Sequence, residues 1–389
     1  MSHYDLLTKL ESRRQKILMG KVNCIPSPFH RFSNDFVGIE QGKYTCVTAA
    51  TKAGKTQITN FLFVYNTVMY AFEHPDQIRL KIMYFNLEES EDNINLRFMS
   101  YLLYKYSKGN VRLDNKDLKS TKQHKPISEA VLTQLRDEEP YKSLLDFYDQ
   151  VVEFRPERNP TGIMKAIEKY CLEHGTVKKK PVEIINDYGS KETIEVFDGY
   201  TPDDEDLYFI PIIDHFGNMD SENGLTIKGC MDLLSKYLVK LRNRYNVSPV
   251  AVVQQAMDGE SLEHFKAKKL KPTVAGLGDS RTIGRDFDLM LGLFSPFRHE
   301  LPEYYGYDIT RFRDHIRFLE VVINREGEGN GICPLYFDGK TNTFMELPLP
   351  NDSSIQTFYN TINHLNLLLL KWKTKHRKFS RCCVYIGEF

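Results

Sequence analysis

The sequence predicts an α/β fold in which a mostly parallel central sheet is covered by helices on both faces. Predicted strands alternate with predicted helices over most of the 389 residues, and a phosphate-loop signature lies between a strand and a helix. Such alternation is typical of parallel sheets, because each crossover connection lays a helix on one face. The composition, 41% hydrophobic and 27% charged, is that of a globular protein with a large core.

Apolar runs bounded by turn-forming residues predict the strands of this sheet. They are Tyr44–Ala49, Lys81–Leu87, Gln150–Phe154, Leu207–Ile213, Pro249–Val253, Leu289–Phe294 and Ile316–Ile323. Between them, Met231–Tyr245 has apolar residues at helical spacing, which indicates a helix packed on the sheet. After Ile323, the runs Pro334–Phe337 and Thr343–Leu347 predict an antiparallel hairpin at the sheet edge.

A second hairpin is predicted at Val182–Ile185 and Thr193–Phe197, around the turn residues Tyr188 to Ser190. Its flanks are charged, so we interpret residues 176–206 as a surface insertion. Apolar positions in residues 2–19 favour one helix at the N-terminal end. Seven cysteines without metal spacing favour reduced thiols in a cytoplasmic protein. No apolar stretch is long enough to cross a membrane.

Residues 49–56 read A-A-T-K-A-G-K-T, which is a phosphate-binding loop pattern. A strand that leads through a tight loop into a helix aims backbone N–H groups and the positive helix end at one point. We expect Lys55 to reach the β- and γ-phosphates of a nucleoside triphosphate and Thr56 to ligate Mg²⁺. The predicted contact residues are Thr51, Lys52, Ala53, Gly54, Lys55, Thr56 and Gln57.

Two carboxylates complete the predicted site. The apolar run from Leu207 ends in Asp214, which would lie at the carboxyl edge of the sheet and hold Mg²⁺ through its water shell. Hydrolysis also needs a carboxylate that orients or deprotonates the attacking water, and Glu88 at the end of the neighbouring strand is the candidate. The alternatives are an acid that only ends a strand, and acids that only begin the helix Asp92–Tyr104.

At this segment the chain resembles the DnaB-type replicative helicases. Residues 85–90, F-N-L-E-E-S, are similar to the family's F-S-L-E-M-S, in which the glutamate matching Glu88 is catalytic. Glu89 stands where the family has Met, so a slip of one place would exchange the two acids. Residues 213–216, I-D-H-F, are similar to the family's I-D-Y-L. The resemblance covers roughly residues 20–348 and implies a RecA-like P-loop NTPase domain that binds ATP and Mg²⁺.

The resemblance implies two further residues for catalysis. Residues 252–255 parallel a strand that ends in S-Q, which makes Gln255 the sensor of the γ-phosphate; an amide both donates and accepts hydrogen bonds. Residues 322–325 match a K-x-R motif, with Arg325 as the finger that reaches the neighbouring subunit's nucleotide and Ile323 where the second cation usually lies. The alternatives are a polar strand end and a solvated loop arginine.

A further segment of the resemblance concerns nucleic-acid binding. Residues 277–288, L-G-D-S-R-T-I-G-R-D-F-D, match the family's L-R-E-S-G-S-I-E-Q-D-A-D without a gap. In the helicases this loop grips the phosphates of single-stranded DNA, which implies contacts from Gly278, Asp279, Arg281 and Arg285. Gly278 replaces the family's arginine, whereas Arg281 and Arg285 restore positive charge nearby. Net charge gives no evidence for or against nucleic-acid binding, because Lys+Arg and Asp+Glu both number 52.

The expected organisation is an N-terminal linker helix over residues 1–20, a motor domain over 21–348, and a C-terminal helix with a basic tail over 349–389. The resemblance implies a homo-oligomeric ring, most simply a hexamer, with primase or a helicase loader as further partners and no membrane. A truncated, insertion-bearing version suggests a bacteriophage protein in the host cytoplasm. The alternatives are a recombination ATPase of the RecA or KaiC type, and a nucleotide-binding structural or cargo protein with weak activity.

Overall fold

A computed structural model describes residues 3–185, 191–255, 271–327, 329 and 331–360. In chain order, strands β1 to β15 of this part are Ile25–Pro26, Gly38–Ile39, Thr45–Ala49, Arg79–Asn86, Val152–Phe154, Gly175–Ile185, Lys191–Pro202, Leu207–Asp214, Val250–Gln254, Leu289–Phe294, Glu303–Tyr304, Tyr307–Asp308, Ile316–Asn324, Ile332–Asp338 and Thr343–Glu346. Helices α1 to α10 are His3–Leu18, Lys55–Thr59, Asn66–Glu73, Glu91–Tyr106, Asn115–Leu118, Glu129–Asp137, Tyr141–Val151, Pro160–Glu173, Ile227–Tyr245 and Ile309–Phe312. No helix in these ranges is both long and apolar enough for a membrane span.

One nine-stranded sheet dominates the fold, in the order β15-β14-β13-β10-β3-β9-β8-β4-β5. The six strands from β10 to β5 pair in parallel, and β13, β14 and β15 are antiparallel. This arrangement confirms the predicted fold class. The predicted edge hairpin corresponds to β14 and β15. The strand before it, β13, is also antiparallel to its neighbour β10. Residues 295–315 form short helices and the β11–β12 hairpin, and an antiparallel neighbour requires no crossover helix.

The core has one layer on each face of the sheet, and alternate residues of each strand point to opposite faces. In β9, Val250 and Val252 belong to one buried cluster, whereas Ala251 and Val253 belong to the other. The continuous apolar character of these strands therefore follows from burial on both faces. The predicted stripe on Met231–Tyr245 is core packing of α9, which begins earlier, at Ile227.

The helix after the phosphate loop departs from regular α geometry. The sequence predicts one helix from Gln57 to Phe72; in the structure α2 begins at Lys55, and a π-helical stretch, Asn60–Tyr65, joins it to α3. All six residues of this stretch are buried. Single π turns inside α-helices are frequent at functional sites, and this stretch places the buried Asn60 side chain behind the predicted site.

The second predicted hairpin is present as β6 and β7 and is longer than expected. Its strands are largely exposed and carry cross-strand ion pairs, such as Lys180 with Asp198 at 2.9 Å. The base of the hairpin packs on α9, where the rings of Tyr200 and Tyr245 meet edge to face with centroids 5.1 Å apart. The predicted turn, residues 188–190, lies outside the described residues.

Candidate nucleotide site

The predicted site residues lie at one edge of the sheet, where parallel strands end. Ala49 at the end of β3 pairs with Gln254 at the end of β9, and Asn86 at the end of β4 pairs with Asp214 at the end of β8. The phosphate loop leaves this edge and enters α2 at Lys55. The loop turns through positive φ at Gly54 (105°), a conformation that favours glycine.

Lys55, Thr56 and Asp214 form the centre of the site. The Thr56 hydroxyl donates a hydrogen bond of 3.3 Å to Asp214 Oδ1. Burial raises the pKa of the Asp214 carboxyl, although the Lys55 charge and the hydrogen bonds from Tyr84 and Thr56 oppose this shift. Burial likewise lowers the pKa of the Lys55 ammonium, against the attraction of Asp214 and Glu88. Burial thus disfavours the charged form of both groups.

This donor set fits Mg²⁺ carried with a nucleotide. Thr56 and Asp214 offer hard oxygen ligands, and Mg²⁺ is commonly held by one or two carboxylates together with substrate phosphates. Asp214 is 1% exposed, so a bound cation would offset the cost of its buried charge. Among the described residues no group of three or more His, Cys, Asp or Glu could hold a metal.

Behind Asp214 lies a polar pair that sequence reasoning did not identify. The Tyr84 hydroxyl is 3.2 Å from Asp214 Oδ2 and 3.0 Å from Asn60 Oδ1. A hydroxyl has one proton, so it donates to the carboxylate if the Asn60 amide is turned to present Nδ2, an atom that otherwise lacks a partner. Tyr84 lies within an apolar run and Asn60 within a π turn, so the sequence indicated only core packing.

Glu88 and Glu89 have different environments. Glu89 accepts two hydrogen bonds from the Arg97 guanidinium of α4, at 2.5 and 2.6 Å. Glu88 is 55% exposed and points to the site, where its Oε2 lies 3.3 Å from His215 Nε2. Within the described ranges no lysine or arginine is paired with the Glu88 carboxylate, which lies on the side of Lys55. This geometry supports Glu88 over Glu89 as the candidate for water activation.

The two glutamines at the end of β9 point in different directions. Gln255, predicted as the phosphate sensor, donates to Thr48 Oγ1 at 2.8 Å and to the Thr273 carbonyl at 3.2 Å. Gln254 instead donates to Thr51 Oγ1 of the phosphate loop at 2.8 Å. The structure therefore brings Gln254, and not Gln255, to the phosphate loop, because successive side chains alternate at the strand end.

Two arginines of the same chain hold the phosphate loop from behind. Arg317 in β13 is 1% exposed and donates from Nε to the Ala53 carbonyl at 2.6 Å. Arg298, which is exposed, donates to the Thr51 carbonyl. Carbonyls held outward leave the loop's N–H groups facing the phosphate position. The position of Arg317 inside the apolar run I-R-F-L, residues 316–319, could have indicated a buried structural role. No sequence feature indicated that Arg298 contacts the phosphate loop.

Arg325 lies at the opposite edge of the sheet from the phosphate loop. Leu289 pairs both with Asn324 and with Thr45, the first residue of β3, whereas the loop follows the last residue of β3. The Arg325 guanidinium donates to the Arg285 carbonyl and lies 3.7 Å from Asp288 Oδ1. The structure therefore does not bring Arg325 to its own chain's nucleotide site.

The predicted nucleic-acid residues fall on a 3₁₀ segment, Ala275–Arg285, that begins near Gln255, the donor to the Thr273 carbonyl, and ends just before β10. The side chains of Gly278, Asp279 and Arg281 lie outside the described part. Arg285 is exposed at the amino edge of the sheet. Its position, next to Arg325, places positive charge on the surface away from the phosphate loop.

No protein-family model matches the chain. No curated protein sequence matches it either. Among solved structures, one ATPase domain superposes with a TM-score of 0.58 at 12% identity, with 89% of this chain and 99% of that chain covered. A DnaB-like replicative helicase, solved for its interactions with primase, superposes with a TM-score of 0.59 at 13% identity, covering 90% and 67%. These likenesses confirm the RecA-like P-loop ATPase fold that the sequence resemblance implied.

Proposed function

We propose that the chain is an ATP-dependent DNA helicase motor of the DnaB type, which moves along single-stranded DNA as a hexameric ring and unwinds duplex during replication. The observation that carries the proposal is the meeting of Lys55, Thr56, Asp214 and Glu88 at one sheet edge, within a fold similar to a replicative helicase. P-loop NTPases use the same kinds of group: a loop lysine, a hydroxyl and an aspartate that hold Mg²⁺, and a residue that positions the attacking water.

Hydrolysis is assigned to residues of this edge. The loop's N–H groups and Lys55 bind and orient the β- and γ-phosphates, and the Lys55 charge stabilises the transferring phosphoryl group. Mg²⁺, when bound through Thr56 and Asp214, supplies further charge neutralisation. Glu88 orients or deprotonates the attacking water, since its exposed carboxylate faces the site. Gln254 is the polar strand-end group in position to contact the γ-phosphate.

Assembly into a ring is supported by the opposite edge. Arg325 is 45% exposed and far from its own phosphate loop, so it serves catalysis only if it enters a neighbour's site. Helix α1 is held there by its polar side, through Arg13 to Glu40 at 3.2 Å and Lys16 to Asp206 at 2.9 Å. Its apolar side chains, including Leu7 and Leu10, are exposed, as a linker helix that covers an adjacent subunit requires.

DNA contact is assigned to the segment around Gly278–Arg285 and to the loop after Asp214, which would line the centre of the ring. The exposed Arg285 supports this assignment. Phosphate contacts of this kind give affinity that falls with salt and depends little on base sequence. We further propose a primase or a helicase loader as partner, and a bacteriophage protein acting in the host cytoplasm.

Steady-state ATPase assays with and without single-stranded DNA test the function. We expect turnover that DNA stimulates strongly, and hexameric rings in micrographs with an ATP analogue and an oligonucleotide. Turnover near background despite tight nucleotide binding would favour the structural or cargo alternative. Strand exchange without unwinding would favour the recombination ATPase.

A further inference from the structure

A chain of hydrogen-bond contacts crosses the candidate site from Glu88 to the phosphate loop. His215 Nε2 lies 3.3 Å from Glu88 Oε2 and 3.1 Å from Gln254 Oε1. Gln254 in turn donates from Nε2 to Thr51 Oγ1 at 2.8 Å. The row thus joins the ends of β4, β8 and β9 to the loop that follows β3.

The chemistry of these contacts determines which atom is the hydrogen-bond donor between His215, Glu88 and Gln254. Glu88 Oε2 and Gln254 Oε1 are both acceptors, so His215 Nε2 must carry its proton and share it between them. One N–H cannot satisfy two acceptors fully, so the two contacts compete. The competition links the position of the Glu88 carboxylate to the orientation of the Gln254 amide.

The backbone at His215 is adapted to this placement. Its φ of 66° and ψ of 62° lie in the left-handed region, which costs free energy for a residue other than glycine. The imidazole is largely buried, and its Nδ1 has no hydrogen-bond partner within the described part of the chain. Only the Nε2 edge therefore makes polar contacts, and that edge faces Glu88 and Gln254.

We propose that His215 is a positioning residue that couples Gln254 to Glu88. When a triphosphate occupies the loop, its oxygens offer the Gln254 amide an acceptor in place of Thr51. Rotation of the amide then withdraws Oε1 from His215, and the whole Nε2–H hydrogen bond passes to Glu88. The carboxylate is thereby set for water activation only while triphosphate is bound. This inference rests on the proposed ATPase function and concerns how that activity is timed.

The test uses four single variants and one double variant of the full chain. His215→Ala and His215→Leu remove the donor, and His215→Gln restores an N–H donor at the same number of bonds from Cβ. Gln254→Ala breaks the other contact. We expect the donor-free variants to lower kcat about tenfold, the size of coupling within one hydrogen-bond network, with KM changed less than about twofold. His215→Gln should recover most of this loss.

The double variant His215→Ala/Gln254→Ala separates coupling from independent effects. We expect it to be no slower than the slower single variant, because without the His215 donor the Gln254 amide has no proton for which to compete with Glu88. Multiplied losses, or a His215→Gln variant as slow as His215→Ala, would overturn the proposal. For the His215 variants, binding of a fluorescent ATP analogue and thermal melting are both expected to be unchanged, which excludes a merely structural role of this side chain.

Lys55→Ala distinguishes this failure from failure of the proposed function. If Lys55→Ala is inactive and all His215 variants turn over like wild type, the coupling is wrong and the ATPase assignment stands. If Lys55→Ala itself keeps wild-type turnover, the site assignment falls and the coupling falls with it.

Discussion

The two edges of the central sheet carry different kinds of polar group. At the carboxyl edge, Lys55, Asp214 and Glu88 converge in one place, and burial disfavours the charged form of the first two. At the amino edge, groups such as Asp288 are paired within the chain: Arg242 contacts it at 2.5 Å. Arg325 and the apolar side of α1 remain exposed there.

In the proposed ring, this difference divides the chemistry between a site built by one chain and an interface between two chains. The carboxyl edge gathers most of the candidate site from one chain, because parallel strands bring their ends together. At the amino edge, Arg325 and the apolar side of α1 would act only on a second copy in the proposed ring. Substitutions at the first edge should therefore impair each subunit's own site, whereas substitution of Arg325 should act only through an interface.

The largest effect is expected at the carboxyl edge. Lys55→Ala should reduce turnover to background and weaken triphosphate binding, because the lysine supplies a point charge to the transferring phosphoryl group. Lys169→Ala is a matched control, since Lys169 is exposed and pairs with Glu173 at 3.7 Å on the surface of α8. Steady-state phosphate release measures both variants. Wild-type turnover in Lys55→Ala would contradict the site assignment.

Arg325→Ala tests the amino edge and should lower turnover about 10³-fold, the lower range for an arginine finger. Catalysis by wild type should also rise more steeply than linearly with protein concentration where the ring dissociates. Mixing Arg325→Ala with Lys55→Ala subunits should restore part of the activity, because some interfaces then combine an intact loop with an intact arginine. No recovery in mixed rings verified by pull-down, with Arg325→Ala active alone, would show that Arg325 is only a surface residue.

Glu88→Gln should lower turnover about 10²-fold and retain ATP binding, because only water activation is lost. Glu89→Gln is the matched control: it loses the ion pair with Arg97, which is worth up to about 1 kcal/mol of stability, and keeps its turnover. Single-turnover hydrolysis and thermal melting separate the two. If Glu89→Gln traps bound ATP instead, the resemblance is aligned one place off.

Arg317→Met should affect stability more than chemistry. It leaves the Ala53 carbonyl without its donor in a buried position, at a cost of about 1–3 kcal/mol in the free energy of unfolding. Arg298→Met is the control, because Arg298 contacts the same loop from an exposed position and should cost little. Urea unfolding measures both. Equal losses would mean that burial of Arg317 does not matter to the loop.

Sequence patterns predicted which strands and loop end at the carboxyl edge of the sheet. They did not predict which side chains contact one another there. Strand ends and the phosphate loop are local features, so β3, β4 and β8 were placed within about two residues. The direction of Gln254 and Gln255 depends on the loop at Thr273, far along the chain, and was not readable. The antiparallel direction of β13 depends on the connection that precedes it. The π turn at Asn60 follows from packing and has no local signature.

The smallest effect is expected for the nucleic-acid surface, where each contact is one of several. Arg285→Ala should lower affinity for single-stranded DNA a few-fold and reduce the slope of log affinity against log salt by about 0.7, the share of one phosphate contact. Basal hydrolysis without DNA should not change, since Arg285 lies at the amino edge and its side chain is exposed. The double variant with Arg281→Ala should reduce the slope about twice as much. Fluorescence anisotropy over a salt series measures the slopes, and Lys169→Ala again serves as control. An unchanged slope in the double variant would move the DNA contact to another surface and leave the ATPase assignment intact. A loss of basal hydrolysis would instead tie this segment to the nucleotide site, so that the two edges would no longer act separately.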